Sequence, residues 1–367
     1  MADVLPSPAQ RERVGPKGRG EGVSYTVQRE ELSRLEPEWR ALFPRTFLRC
    51  VCVSPTWLRV WWEQFGQGRE LLLLSVRRGQ ELVGVAPLMR DDGRLTFAGD
   101  TEICDYMDFT AVAGAEQAVL TAVLRSLSEE PWQELVLWGV RDDSPTLRAL
   151  PSVCAGLGLL LEVELEDVCP RVDLPASWEE YLAGLNKKDR HELRRKLRKL
   201  PQGGEVGLEV LERPDETEAA LDDFLRLHGA ARSEKAAFMT ERMARFFRRI
   251  VLALAQEGLV ELIFLTLDHV RVAGVLCFRT EDELLLYNSG YEPAYAGLSV
   301  GLLSKALALQ RAIEEGRRRF DFLRGAEPYK YDLGAENLNV YRCVIRRPFG
   351  SALRVKHRSP QGGQGRA

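Results

Sequence analysis

Apolar and polar positions along the chain switch between a period of two and a period near 3.6, and the switches mark an ordered series of strands and helices. Val23–Glu30 alternates as a strand, and Leu32–Leu42 repeats as a helix. Ser54-Pro55 opens a second helix, with Ser54 as N-cap and Pro55 at the first helical position. Trp57, Leu58, Trp61, Trp62 and Phe65 return at helical spacing and read as its core face. Three apolar runs follow as a meander, Leu71–Val76, Glu81–Met89 and Arg94–Gly99, punctuated by Arg78-Gly79 and Asp92-Gly93. A helix over Ala115–Leu127, a strand over Glu134–Val140, a helix over Pro145–Leu157 and a strand over Leu159–Val168 complete the first half.

The second half repeats this order. Gly207–Arg213 reads as a strand, and Glu216–Gly229 and Thr240–Gln256 as helices. Leu259–Asp268, Val270–Thr280 and Glu283–Tyr291 form a second meander, turning at Asp268-His269 and Glu281-Asp282. Leu298–Glu315 is a helix, and Arg319–Leu323 and Asn339–Arg347 are strands. The two series lie roughly 185 residues apart and share architecture, not residues.

Within the second series, Glu283–Leu323 carries the densest signal. An apolar strand ends at Gly290, and a loop with Pro293, Gly297, Ser299 and Gly301 leads straight into a helix. Small residues feeding a helix N-terminus leave backbone N–H groups exposed, and the helix dipole favours anions there. The stretch therefore reads as a phosphate or pyrophosphate cradle between neighbouring strands. An ordinary turn capped by Ser299 is the other reading.

Length narrows the choice: 367 residues suggest about two domains. A net charge of -3 argues against a general nucleic-acid or membrane binder. No window approaches the ~20 apolar residues of a spanning helix, and the N-terminus lacks a signal-peptide core. The 7 cysteines (Cys50, Cys52, Cys104, Cys154, Cys169, Cys277 and Cys343) form no CxxC pair, which points to reduced thiols in a cytoplasmic protein. With 4 histidines and no HExxH, no metal is expected. Residues 1–22 and 351–367 read as flexible tails, 23–175 and 205–350 as two domains, and 176–204 as a basic helical connector.

The segment EPAYAGLSVGLL resembles the acyl-CoA-binding loop of the GNAT acyltransferases, with Ala296 at the usual Gln or Arg position and Ser299 at the first glycine position. The longer phrase YNSGYEPAYAGLSVG, followed by FDFLRGAEPYKYDLGA, resembles tandem-GNAT proteins of the cellulose-biosynthesis type, relatives of the Fem peptidyltransferases. SPTWLRVWWEQFG and GDTEICDYMDF carry the likeness into the first half. The resemblance implies an α/β (α+β) fold of two tandem GNAT-like domains, each a mixed, mostly antiparallel sheet flanked by helices. It implies that the strand ending at Tyr291 splays from Arg319–Leu323 to admit a pantetheine arm. Asn288, Ser289, Gly290 and Tyr291 would bind that arm. Gly297, Leu298, Ser299, Val300 and Gly301 would hold the pyrophosphate, with Lys305 adding charge unless it is a solvated helix lysine.

Several further groups are candidates for the chemistry. FDFLRGAEPYKYDLGA crowds charged and phenolic groups after a strand, where ligand crevices open. The resemblance implies that this loop lines the acceptor or acyl site, through Asp321, Arg324, Lys330 and Tyr331, with Glu327 a candidate base and Tyr329 or Tyr331 a candidate proton donor to the leaving thiolate. Alternatively Asp321, Arg324, Glu327 and Lys330 pair among themselves and hold the loop. In the first half, Asp105 and Asp108 are close enough for one to serve as a base, and with Tyr106 they are expected to bind the acceptor across the interdomain cleft. That half lacks a small-residue loop and is not expected to bind acyl-CoA. His228, followed by Arg232, is either a base or a helix C-terminal group. Asn186–Leu200 sets eight cations, Lys187, Lys188, Arg190, Arg194, Arg195, Lys196, Arg198 and Lys199, against Asp189 and Glu192. It reads as a solvated linker helix or a site for an anionic acceptor or tRNA.

The expected activity is direct acyl transfer, acetyl above all, from acyl-CoA to an amine or hydroxyl of an envelope- or polysaccharide-related acceptor. A Fem-like aminoacyl-tRNA-dependent transferase and a non-catalytic binding module are the alternatives.

Overall fold

A computed structural model describes residues 24–231 and 239–348. The two expected tails and Arg232 lie outside the described residues.

The chain runs β1 (Tyr25–Arg29), α1 (Leu32–Leu42), α2 (Pro55–Phe65), β2 (Glu70–Arg78), β3 (Glu81–Asp91), β4 (Arg94–Phe97), β5 (Thr110–Ala111), α3 (Glu116–Ser126), β6 (Glu134–Arg141), α4 (Pro145–Leu157) and β7 (Leu160–Asp173). Two connector helices follow, α5 (Trp178–Gly184) and α6 (Lys187–Lys199). The second series is β8 (Val206–Leu211), α7 (Pro214–Ala231), α8 (Glu241–Ala255), β9 (Val260–Leu267), β10 (Val270–Arg279), β11 (Glu283–Tyr291), α9 (Val300–Glu314), β12 (Arg319–Asp321), α10 (Pro328–Asp332) and β13 (Glu336–Arg346). The order read from periodicity holds, with the fold a mixed α/β sheet flanked by helices. Local chemistry accounts for it: Ser54 accepts from the Trp57 N–H to cap α2, and Asp92 and Gly93 take positive φ in the β3–β4 hairpin.

The two halves do not keep separate sheets. All strands join one sheet in the order β1-β2-β3-β4-β6-β13-β7-β12-β11-β10-β9-β8, with β5 beside β3. The last strand, β13, lies between β6 and β7, and β7 runs on to Asp173 to pair with β12. Each half therefore completes the other's sheet. The core is likewise shared: Trp57 of α2 sits edge-on to Phe246, Phe278 and Tyr287 at 5.8–5.9 Å between ring centroids. Helices α7 and α8 pack into this shared core, while α5, α6 and α9 cover the opposite face of the second half.

Candidate active site

Strands β11 and β12 run parallel and pair only over Glu283–Leu285 with Arg319–Asp321. Strand β11 continues six residues further, to Tyr291. Beyond Asp321 the chain turns to β7 instead, where Phe322 N–H donates to Pro170 O at 2.9 Å and Gly325 N–H to Val168 O at 3.0 Å. The paired strands thus part, and a register shift opposite Leu276 and Cys277 adds a bulge to β11 at Tyr287.

Past the bulge, alternate residues of β11 face opposite helices. Gly290 faces α7 so closely that a Cβ there would run into the His228 backbone. Asn288 is on the same side, its Oδ1 2.9 Å from His228 Nε2. His228 itself is buried. Ser289 and Tyr291 face α9, where a Cβ on Gly301 would meet the Tyr291 ring at 2.7 Å. Asn288, Gly290 and His228 therefore set the packing of α7 against the back of the strand, and the cavity opens on its other face.

Among the described residues no side chain caps the tip of α9. A 3₁₀ turn over Pro293–Leu298 brings the chain to Ser299, which is left-handed (φ 58°) and whose side chain makes no capping bond. The Ser299 carbonyl already accepts from both Leu302 and Leu303 at 3.0 Å. The first-turn N–H groups before them are those a helix cannot satisfy itself. Lys305 Nζ donates to Gly301 O at 2.6 Å and stands 5.0 Å from the Tyr329 ring centroid. Gly297 is in open space and its carbonyl accepts from Lys199 Nζ at 2.9 Å, Leu298 packs against Gly203, and Val300 is buried.

A cavity of about 310 Å³ occupies the space between β11, the tip of α9 and the loop after β12. It gathers Ser289, Tyr291, Ser299, Gly301, Lys305, Glu327 and Tyr329 from the sequence candidates, and adds Lys196, Ala231, Ala296 and Leu302. Its lining carries two cations, Lys196 and Lys305, against one carboxylate, Glu327, beside the positive end of a helix dipole. Lys196 is legible in the sequence as part of a basic run, but nothing local to that run aims it at the cradle.

The remaining candidates hold the loop from behind. Lys330 is only 2% exposed, and its ammonium donates to Leu323 O (3.0 Å), Arg324 O (2.8 Å) and Gly325 O (2.8 Å). The Glu327 carboxylate lies 2.9 Å from it. An ammonium has three N–H donors, so none faces the cavity, which differs from the expected contact with an acceptor. Asp321 is buried; it accepts from Tyr106 Oη at 2.8 Å and from Leu323 N–H at 2.7 Å. Burial pushes its carboxyl up to about 6, partly offset by the Tyr106 bond. Arg324 N–H donates to Asp105 Oδ1 at 3.1 Å, and its guanidinium faces Glu166 at 3.7 Å. Burial also raises the Asp105 carboxyl. Tyr331 donates to Asn337 at 2.8 Å, outside the cavity lining.

The acidic segment of the first half is buried rather than open to a cleft. Tyr106 is fully covered, and Asp108 accepts from Ser144 Oγ at 2.5 Å and Phe109 N–H at 2.7 Å. Burial takes the Asp108 carboxyl to about 6. Asp105 and Tyr106 meet the second half through its loop, where they support Arg324 and Asp321, while Asp108 bonds within the first half. The carboxylates grouped closely enough for an ion among the described residues, Glu212, Glu261 and Glu315, are interleaved with Arg279, Arg311 and Arg317.

Residues 187–331 match the family described as the acetyltransferase (GNAT) domain. No curated protein matches the chain. Among solved structures, FemX is similar with a TM-score of 0.59 at 13% identity, over 86% of this chain and 96% of FemX. The C-terminal domain of a putative lysylphosphatidylglycerol synthetase from Agrobacterium fabrum gives 0.55 at 10% identity, over 86% of this chain and 92% of that one. L-PGS from Bacillus licheniformis gives 0.51 at 12% identity, over 82% and 93%. At such identities the likeness is one of fold.

Proposed function

From the GNAT acetyltransferase domain of residues 187–331, we propose an acyltransferase that passes an acyl group, acetyl above all, directly from acyl-CoA to an amine or hydroxyl acceptor. The observation that carries this reading is the parting of β11 from β12 beside an uncapped helix tip, with Lys196, Lys305, Glu327 and Tyr329 converging on one cavity. The residues fit a phosphorylated thioester. First-turn N–H groups of α9 and the two lysines would bind its phosphates, and Ser289 and Tyr291 would lie along its arm. When bound, coenzyme A supplies the activated acyl group. Glu327 takes the proton from the attacking acceptor, and Tyr329 donates one to the departing thiolate. The backbone of β11 positions the reacting carbonyl, and no side-chain nucleophile takes part. Seven buried, unpaired cysteines agree with a cytoplasmic enzyme, and among the described residues no helix is long and apolar enough to cross a membrane.

Titration calorimetry with coenzyme A tests the reading. Binding is expected, and Lys196→Ala should weaken it about fivefold, near 1 kcal/mol. An absence of binding would overturn it. The exposed cations of α6 beside the cavity favour one second reading, transfer from aminoacyl-tRNA. Aminoacyl transfer from charged tRNA with no response to acetyl-CoA would select that reading. Coenzyme A binding with no turnover on any amine or hydroxyl acceptor would leave a binding module, and Glu327→Gln and Tyr329→Phe variants with unchanged turnover would remove those two residues from the chemistry.

A further inference from the structure

Strand β7 has one edge that nothing among the described residues pairs. Its other edge is hydrogen-bonded to β13 from Leu160 to Arg171. On the open side β12 reaches only Arg171–Asp173, and the loop after it bonds at Pro170 and Val168. Leu160–Asp167 is therefore a free strand edge within a sheet. Such an edge is a template for another strand, and proteins ordinarily cover or charge it. Here it carries Leu160, Val163 and Leu165 at 56%, 43% and 61% exposure, three of the seven exposed large apolar side chains among the described residues.

The edge has two chemically distinct faces. Leu161, Val163 and Leu165 lie opposite Ile345, Cys343 and Tyr341 of β13; Leu161 packs on the core, while Val163 and Leu165 stay exposed. Glu162 and Glu164 lie on the other side, opposite Val344 and Arg342. A matching strand needs apolar residues alternating with cations, and the sequence after Pro348 contains one: Leu353-Arg354-Val355-Lys356-His357-Arg358. Leu353 and Val355 would extend the apolar face. Lys356 would stand beside Glu164, and Arg354 beside Glu162, whose carboxylate already takes Arg346 at 2.7 Å on the β13 side.

The connection is sterically possible. Strand β13 ends with Arg346 opposite Leu160, at the start of the free edge. Two strand spacings, ~10 Å, separate β13 from a strand laid beyond β7. The six residues 347–352 can span ~20 Å.

We propose that the segment Leu353–Arg358 adds to the free edge of β7 as a strand parallel to it, seating its cations on Glu162 and Glu164. Hydrogen exchange of the amides of Leu160–Asp167 in the full chain tests this. Removal of residues 349–367 should speed exchange there about tenfold and leave β9–β11 unchanged. Lys356→Glu and Glu164→Lys should each speed it, and the double variant should restore the slow rate. Equal exchange in the full and shortened chains would overturn the proposal. So would protection that survives the deletion and grows with protein concentration, since a second copy would then be the occupant.

Discussion

Replacing Lys330 by Met separates two readings of the loop after β12. In one, Lys330 contacts an acceptor; in the other, it pins the loop that carries Glu327 and Tyr329. The structure puts the ammonium within 2.8–3.0 Å of three carbonyls and the Glu327 carboxylate. Methionine fills nearly the same space and offers no donor. Each hydrogen bond to a charged group contributes about 1.5–3 kcal/mol net, less the cost of keeping the ammonium out of water. Removing one member of a buried charged network costs about 3–5 kcal/mol because its partners stay buried. A loss near 4 kcal/mol is expected. At about 2 °C per kcal/mol for a chain of this size, Tm should fall by about 8 °C in scanning calorimetry. Turnover, read as thiol released from acetyl-CoA, should fall about a hundredfold with little change in KM for the donor, since a displaced Glu327 loses its geometry. Lys330→Arg should recover part of both. A variant with unchanged Tm and a raised KM for the acceptor alone would refute the pin and reinstate direct contact.

Three further outcomes follow from packing and titration. Gly290→Ala should lower Tm sharply, because the new Cβ meets the α7 backbone, while Gly297→Ala, in open space, should leave Tm within about 1 °C. Glu327→Gln should cut turnover about a hundredfold without weakening coenzyme A binding by calorimetry, since the proposed phosphate contacts are the α9 tip and the two lysines. Asp321 has its carboxyl at about 6 against an ordinary 3.8, so the folded chain keeps that proton to higher pH than the unfolded chain. Its contribution is therefore fully present below about pH 4 and is lost as pH rises through 6, a difference of about 3 kcal/mol. Urea midpoints from pH 4 to 7 should show a shallower fall in Asp321→Asn than in the parent, and equal slopes would exclude the assignment.

Much of the candidate site is legible in the primary sequence because its causes are local. The strand ending at Gly290, the small-residue loop and the helix after it follow from periodicity, turn residues and the chemistry of helix starts, all within a window of about twenty residues. Hence residue spacing alone puts Ser299, Gly301 and Lys305 at a helix tip, and Glu327 and Tyr329 close behind a strand. Other features depend on which distant elements meet. Periodicity names a strand but not its neighbour, so β13 gives no local sign that it lies between β6 and β7. A bulge in β11 decides that Asn288 and Gly290 turn to α7 while Ser289 and Tyr291 turn to the cavity. A lysine, a tyrosine and three aspartates look like surface chemistry in a polar loop. Burial makes Lys330 a clamp within its own loop and Asp108 a partner of Ser144, packing of the halves against each other makes Tyr106 and Asp321 covered supports, and the fold brings Lys196 of α6 to the mouth of the cradle. Residue spacing determines the elements and their ends; long-range pairing and burial decide which side chains face the ligand and which hold the chain in place.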